Sequence, residues 1–112
     1  RDQKALGREV KNFDKKAWDA VARDFVYQAN LAKFSQKKDL LRSLMNTGEL
    51  ILVEASPYDK IWGIGLDVDD AKKGKEWQGT NWLGQVVTLV REDLKAKIRR
   101  TTPINWAEHP WK

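Results

Sequence analysis

The stretch LILVEASPYDKIWGIG, residues 50–65, decides how the rest of the chain is interpreted. Its first six residues are apolar or small for the most part and are bounded by glycine and proline, which predicts a short β-strand. Asp59, Trp62 and Gly63 follow within ten residues. Two interpretations fit this order. Either the segment is an ordinary turn whose indole fills the core, or a carboxylate, an indole and an accessible backbone form the rim of a site for a planar ligand.

Helical periodicity predicts three helices around this stretch, at residues 14–35, about 37–46 and about 82–98. Asp14 begins the first of these ranges and Asn81 precedes the last, and a helix cap is expected at both. The positions expected to face the core are Trp18, Val21, Ala22, Phe25, Ala29 and Ala32 in the first helix, Leu40, Leu41, Leu44 and Met45 in the second, and Leu83, Val86, Val87, Val90 and Leu94 in the third.

One strand cannot form a sheet, so its partners are expected in a missing N-terminal portion or in segments too irregular to recognise. The predicted fold class is α+β: a helix-rich single domain with a small sheet, lacking its N-terminal segment. The domain is expected to cover residues 1–98, followed by an irregular C-terminal tail at 99–112. The loop at 56–81 is long for a compact domain, and loops of this length are often functional.

The composition limits the chemistry. The chain has 112 residues, a net charge of +5, six tryptophans, no cysteine and His109 as its single histidine. Disulfides and thiolate metal sites are therefore excluded, and neither a cofactor nor a metal site is expected. The acidic run DVDD at 67–70 lacks the ligand spacing of a calcium loop and is interpreted as solvated. Without a signal peptide or a bilayer-length apolar run, we expect a cytoplasmic protein that does not contact membranes.

Positive charge favours polyanionic partners, and three further positions could contact a phosphate or a sugar. The start of the helix after Asn81 offers backbone N–H groups, although capping alone explains an asparagine there. Arg8 could form paired hydrogen bonds to a phosphate, or it could be a solvated surface group. Lys33, near the end of the first helix, could bind an anion or simply complement the helix dipole.

The order of these segments resembles the NADAR, or YbiA-like, N-glycosidase family over about residues 4–94. The most specific part of the resemblance is LVEASPYDKIWGIGL at 52–66 together with WQGTNWLG at 77–84. The remaining pieces are KALGR at 4–8, a helix that carries a tryptophan, AKFSQ at 32–36 and VRED at 90–93.

The resemblance implies hydrolysis of an N-glycosidic bond between ribosyl C1 and a nitrogenous base. It implies a phosphorylated ribosyl or ADP-ribosyl substrate: either a ribosylaminopyrimidine phosphate of riboflavin synthesis or ADP-ribosylated guanine in nucleic acid. Asp59 is then the expected catalytic residue, which stabilises the positive charge at C1 or activates water. The expected substrate-binding residues are Trp62, Gly63, Trp18, Arg8, Lys33 and Asn81.

The chain departs from the family pattern in one respect. Members carry an E-H-x-Y motif near their start and a lysine on the following helix, and nothing here matches either feature. The chain is therefore a fragment, receives the missing N-terminal half from a second chain, or has lost activity. The alternative function is a catalytically silent module that binds ADP-ribose or a nucleotide, or that serves an interaction. A third hypothesis is a basic nucleic-acid-binding domain.

Overall fold

The computed structural model describes residues 14–99 and residue 111, and four helices lie within them. They are α1 (Lys15–Gln36), α2 (Lys38–Asn46), α3 (Val68–Lys72) and α4 (Trp82–Arg99). The three helices predicted from periodicity are confirmed to within two residues at either end. The five-residue α3 was not predicted, because it is shorter than two full helical turns and lies in a charged stretch.

The helix ends follow from local hydrogen bonds. Asp14 caps α1 as predicted, since its carboxylate accepts hydrogen bonds from the N–H groups of Lys16 and Ala17. After α2 the chain turns at Gly48, whose φ of +60° is a left-handed conformation that suits glycine. Asp67 begins α3 by accepting from the N–H of Asp70, which explains part of the acidic run as a helix cap.

The core forms where α1 and α2 pack against α4. Of the five inward positions predicted for α4, Val86, Val90 and Leu94 are buried, whereas Leu83 and Val87 are half-buried. Leu44 of α2 is buried as well. The cluster of buried residues is Tyr27, Leu44, Val86, Leu89, Val90 and Leu94.

The inward face predicted for α1 is wrong. Trp18, Val21 and Phe25 are 60%, 64% and 73% exposed, whereas Tyr27, which lay outside the predicted stripe, is 3% exposed. The hydroxyl of Tyr27 donates a hydrogen bond to the carboxylate of Asp93 and so ties α1 to α4. Two apolar stripes run along this helix at the same spacing, and periodicity alone cannot select the one that meets a partner.

The predicted small sheet is also wrong for the residues that the structure describes: they contain no strand, and 62% of them are helical. Residues 50–55 pair along one edge with side chains of α4 and of the residue before it. The carbonyl of Leu50 accepts from Arg91 Nη1 at 2.8 Å, and that of Leu52 accepts from Asn81 Nδ2 at 2.9 Å. The fold class observed in this part of the chain is therefore helical.

Within residues 14–99, no helix is both long enough and apolar enough to cross a membrane.

Candidate functional site

Residues 50–55, the predicted strand, are called the extended segment below, and the turn that follows them is organised by Asp59. Its Oδ1 accepts hydrogen bonds from the N–H groups of Ile61 at 3.0 Å and Trp62 at 2.8 Å. This pattern is typical of an aspartate turn, so the turn interpretation of this carboxylate is observed. Asp59 is half-buried, and its second oxygen, Oδ2, accepts no hydrogen bond from the described residues. One carboxylate oxygen is therefore anchored beside Trp62, and the other has no hydrogen-bond partner among the described residues.

The same turn is fixed to the start of α4. The N–H groups of Trp82 and Leu83 donate to the carbonyls of Ile61 at 2.9 Å and Trp62 at 3.0 Å. Trp62 is partly buried and packs against the core cluster. The sequence predicts that the N–H groups at the start of α4 could bind a phosphate. Two of them already donate to backbone carbonyls, so these two are not available for that role.

Asn81 connects three segments. Its N–H donates to the carbonyl of Gly63 at 3.0 Å, and its side chain bonds the N–H of Glu54 and the carbonyl of Leu52, each at 2.9 Å. The expected side-chain cap of α4 is therefore wrong, although the helix does begin directly after Asn81. Asn81 has a φ of +55°, which asparagine tolerates better than most residues.

Close backbone packing accounts for the glycines of this region. A Cβ on Gly63 would lie 2.8 Å from the carbonyl oxygen of Asp59 and 2.9 Å from that of Glu54. A Cβ on Gly84 would overlap with the carbonyl of Leu52 and the amide of Asn81. Such contacts are too short to be accommodated without movement of the backbone, so these positions require glycine whether or not a ligand binds.

A cleft of about 530 Å³ lies beside this junction, between the extended segment and α4. Its lining residues are Ile51, Leu52, Trp77, Gly79, Thr80, Asn81, Gly84, Gln85 and Thr88. Among the predicted site residues it includes Asn81, whereas Asp59, Trp62 and Gly63 are not part of its lining.

An aromatic and cationic cluster adjoins the turn through Trp62. The ring of Trp62 meets that of Trp82 edge-on, with centroids 5.5 Å apart. The guanidinium carbon of Arg23 lies 4.5 Å from the ring centroid of Trp82 and 4.7 Å from that of Trp111. Sequence analysis did not select Arg23, Trp82 or Trp111. The high tryptophan count was the available signal, but it could not show which indoles meet a cation.

The remaining predicted site residues lie elsewhere. Trp18 is exposed in the first turn of α1, and Lys33 lies in the last turn, with Nζ 4.7 Å from the ring centroid of Phe34. Arg8 falls outside the described residues. The structure thus brings together Asp59, Trp62, Gly63 and Asn81, and their roles toward a substrate stay predictions.

Comparison with known proteins identifies the family. A family model described as NADAR domain matches residues 1–95. The chain belongs to the NADAR domain family. The turn at Asp59 and the start of α4 both lie inside the matched NADAR region, whereas Trp111 lies beyond it.

Curated NADAR relatives agree with this assignment. The chain is 48% identical to N-glycosidase R617 of Acanthamoeba polyphaga mimivirus over 92 residues, which cover 80% of this chain and 54% of the relative. It is 47% identical to Protein irg-1 of Caenorhabditis elegans over a match that covers 81% of this chain and 45% of the relative. It is 36% identical to N-glycosidase Npun_R5314 of Nostoc punctiforme over a match that covers 87% of this chain and 56% of the relative. The matched region spans about half the length of these relatives. No solved structure matches the chain.

Proposed function

We propose that this chain forms the part of an N-glycosidase that binds the ribosyl group and the base of a phosphorylated ribosyl or ADP-ribosyl substrate. Relatives named N-glycosidase support the reaction class. The observation that carries the proposal is the anchored carboxylate of Asp59 beside Trp62, with Oδ2 left without a hydrogen bond from the described residues.

The chemistry of N-glycosidic hydrolysis suits this arrangement. The bond between ribosyl C1 and the base nitrogen breaks, a water oxygen bonds to C1, and a water proton passes to the departing base. Positive charge develops at C1 in the transition state, as it does in other glycoside hydrolyses. Oδ2 of Asp59 would stabilise that charge or orient the water, because a fixed negative group acts without reorganisation during the reaction.

Trp62 and Asn81 have supporting roles in the proposal. The indole of Trp62 would form a wall against which the base stacks, an interaction worth roughly 1–3 kcal/mol in other proteins. Asn81 joins the turn to the extended segment and to α4, and it would fix the position of both. The resemblance assigns further catalytic groups to the E-H-x-Y segment of the family. The complete active site is therefore expected only where that segment is present.

The test uses protein that contains the whole family domain and measures release of the free base by chromatography. The two substrates are a ribosylaminopyrimidine phosphate and an oligonucleotide that carries ADP-ribosylated guanine. Asp59→Asn keeps an oxygen that can accept both turn hydrogen bonds but removes the negative charge. We expect kcat to fall at least about 100-fold, with the fold retained, because transition-state charge stabilisation is lost.

Asp69→Asn is the matched control, because Asp69 is an exposed aspartate in the first turn of α3. It should leave kcat unchanged. Full activity in the Asp59→Asn enzyme would remove this carboxylate from the mechanism. Ligand binding without release of base from either substrate would favour the silent binding module instead.

A further inference from the structure

Arg23 is a cation that the proposed reaction leaves without a role. It belongs to α1, and its guanidinium carbon lies over the rings of both Trp82 and Trp111. Such contacts draw on the charge of the guanidinium and use none of its N–H groups as hydrogen-bond donors to oxygen. Two indoles therefore hold the guanidinium in place, and none of the described residues accepts a hydrogen bond from it.

The described residues supply no hydrogen-bond acceptor to Arg23. Its Nε is buried without a hydrogen-bond partner, and no ion pair or hydrogen bond joins Arg23 to any described residue. An arginine side chain carries five N–H donors and keeps its charge at every physiological pH. A buried donor without an acceptor is unfavourable, so an external acceptor would be stabilised at this position.

The local field also favours an anion. Trp82 is the first residue of α4, which has 18 residues, and the start of a helix carries partial positive charge. Arg23 thus adds a full positive charge near the positive end of a helix. The N–H groups of Trp82 and Leu83 already donate to the turn, so hydrogen bonds to an anion would come from Arg23.

We propose that Arg23 binds a phosphate group of the substrate, which makes it a specificity-determining residue for phosphorylated ribosyl compounds. This inference rests on the proposed function, in which the base stacks on Trp62. The distances of 4.5 Å from Arg23 to Trp82 and 5.5 Å from Trp82 to Trp62 place the guanidinium carbon within 10 Å of the Trp62 ring centre. A single ribosyl unit can bridge such a separation between its base and its 5′-phosphate.

The test measures binding of ribose 5-phosphate, ADP-ribose and unphosphorylated ribose to the full chain. Titration calorimetry gives the affinity, and the arginine Nε–H signals in NMR spectra report which arginine is contacted. We expect both phosphorylated compounds, and not ribose, to shift the Arg23 signal in the wild-type protein. Arg23→Gln should weaken their binding at least about tenfold, because a charge-assisted paired contact is removed. Arg23→Lys keeps the charge but not the planar fork, and it should weaken binding less.

Arg42→Gln is the matched control, because Arg42 is exposed on α2, and it should bind as the wild type does. Equal binding by Arg23→Gln and wild type would overturn the inference, as would an unmoved Arg23 signal at saturating ribose 5-phosphate. The wild-type NMR experiment remains decisive even if a variant fails to fold. Binding through Arg23 without base release in the complete domain would support this site while refuting the proposed reaction, so the two failures are distinguishable.

Discussion

Asn81 is a buried amide, 3% exposed, and its side chain satisfies two backbone groups of the extended segment. Asn81→Ala would leave the N–H of Glu54 and the carbonyl of Leu52 without these partners. It would also place alanine at a φ of +55°, which alanine disfavours. We expect the free energy of unfolding, measured by urea denaturation, to fall by about 2–3 kcal/mol.

Asn81→Asp keeps the acceptor oxygen but replaces the donor with a charged oxygen that faces the Leu52 carbonyl in a buried site, so its loss should be at least as large. Asn46→Ala removes an exposed asparagine at the end of α2 and should change stability by less than about 0.5 kcal/mol. If Asn81→Ala lowered the free energy of unfolding by no more than Asn46→Ala does, the two side-chain hydrogen bonds of Asn81 would contribute little to stability.

Individual residues were predictable where local chemistry determines them. Asp14 and Gly48 could be placed because a cap and a helix end depend on a few neighbouring residues. Asp59 and Trp62 could be recognised as one unit because they are three positions apart in a turn. Arg23 could not be recognised, because it contacts Trp82 and Trp111, which follow it by 59 and 88 positions in the sequence. Trp111 also lies beyond the family match.

At the level of elements, α1 allows a direct comparison of its two faces. Phe25 and Tyr27 are two residues apart, and they are 73% and 3% exposed, respectively. Tyr27→Ala should lower the free energy of unfolding of this chain by about 3–5 kcal/mol, since a buried aromatic ring is removed. Phe25→Ala should change it by less than about 0.5 kcal/mol. If denaturant titrations gave the two variants equal losses of unfolding free energy, α1 would have to be rotated so that Phe25 also faces the core.

The strand prediction failed for a reason that periodicity cannot reveal. An apolar extended segment becomes a strand only when a second strand supplies backbone partners. Here Asn81 and Arg91 supply side-chain partners on one edge, while the backbone groups of Ile51 and Val53 have no partner among the described residues. The sequence pattern of residues 50–55 does not contain the pairing that defines a sheet, because that pairing is a tertiary property.

At the scale of the whole molecule, α4 serves both the core and the candidate site. Its buried face carries Val86, Val90 and Leu94, and N–H groups of its first turn donate hydrogen bonds to carbonyls of the Asp59 turn. The stability of the helical core is thereby coupled to the position of the carboxylate and the indole. Arg91, which is buried on the same helix, is the second point at which α4 holds the extended segment.

Arg91 provides the test of this coupling. Its Nη1 donates to the Leu50 carbonyl at 2.8 Å and to Thr47 Oγ1 at 3.0 Å, and its Nε pairs with Glu92 at 3.1 Å. Arg91→Met keeps much of the apolar stem but removes all three interactions. We expect a loss of about 2–4 kcal/mol in unfolding free energy, because hydrogen bonds from a buried charge are removed.

Hydrogen exchange separates coupling from a simple packing defect. If Arg91 holds the extended segment against α4, the amides of Leu50 and Glu54 in Arg91→Met should exchange faster than the global loss of stability explains. Arg42→Met changes an exposed arginine on α2 and should alter neither exchange nor stability. Uniform acceleration at all protected amides would show that the segment and the core open together. The carboxylate of Asp59 would then be held by the cooperativity of the whole fold rather than by this one contact.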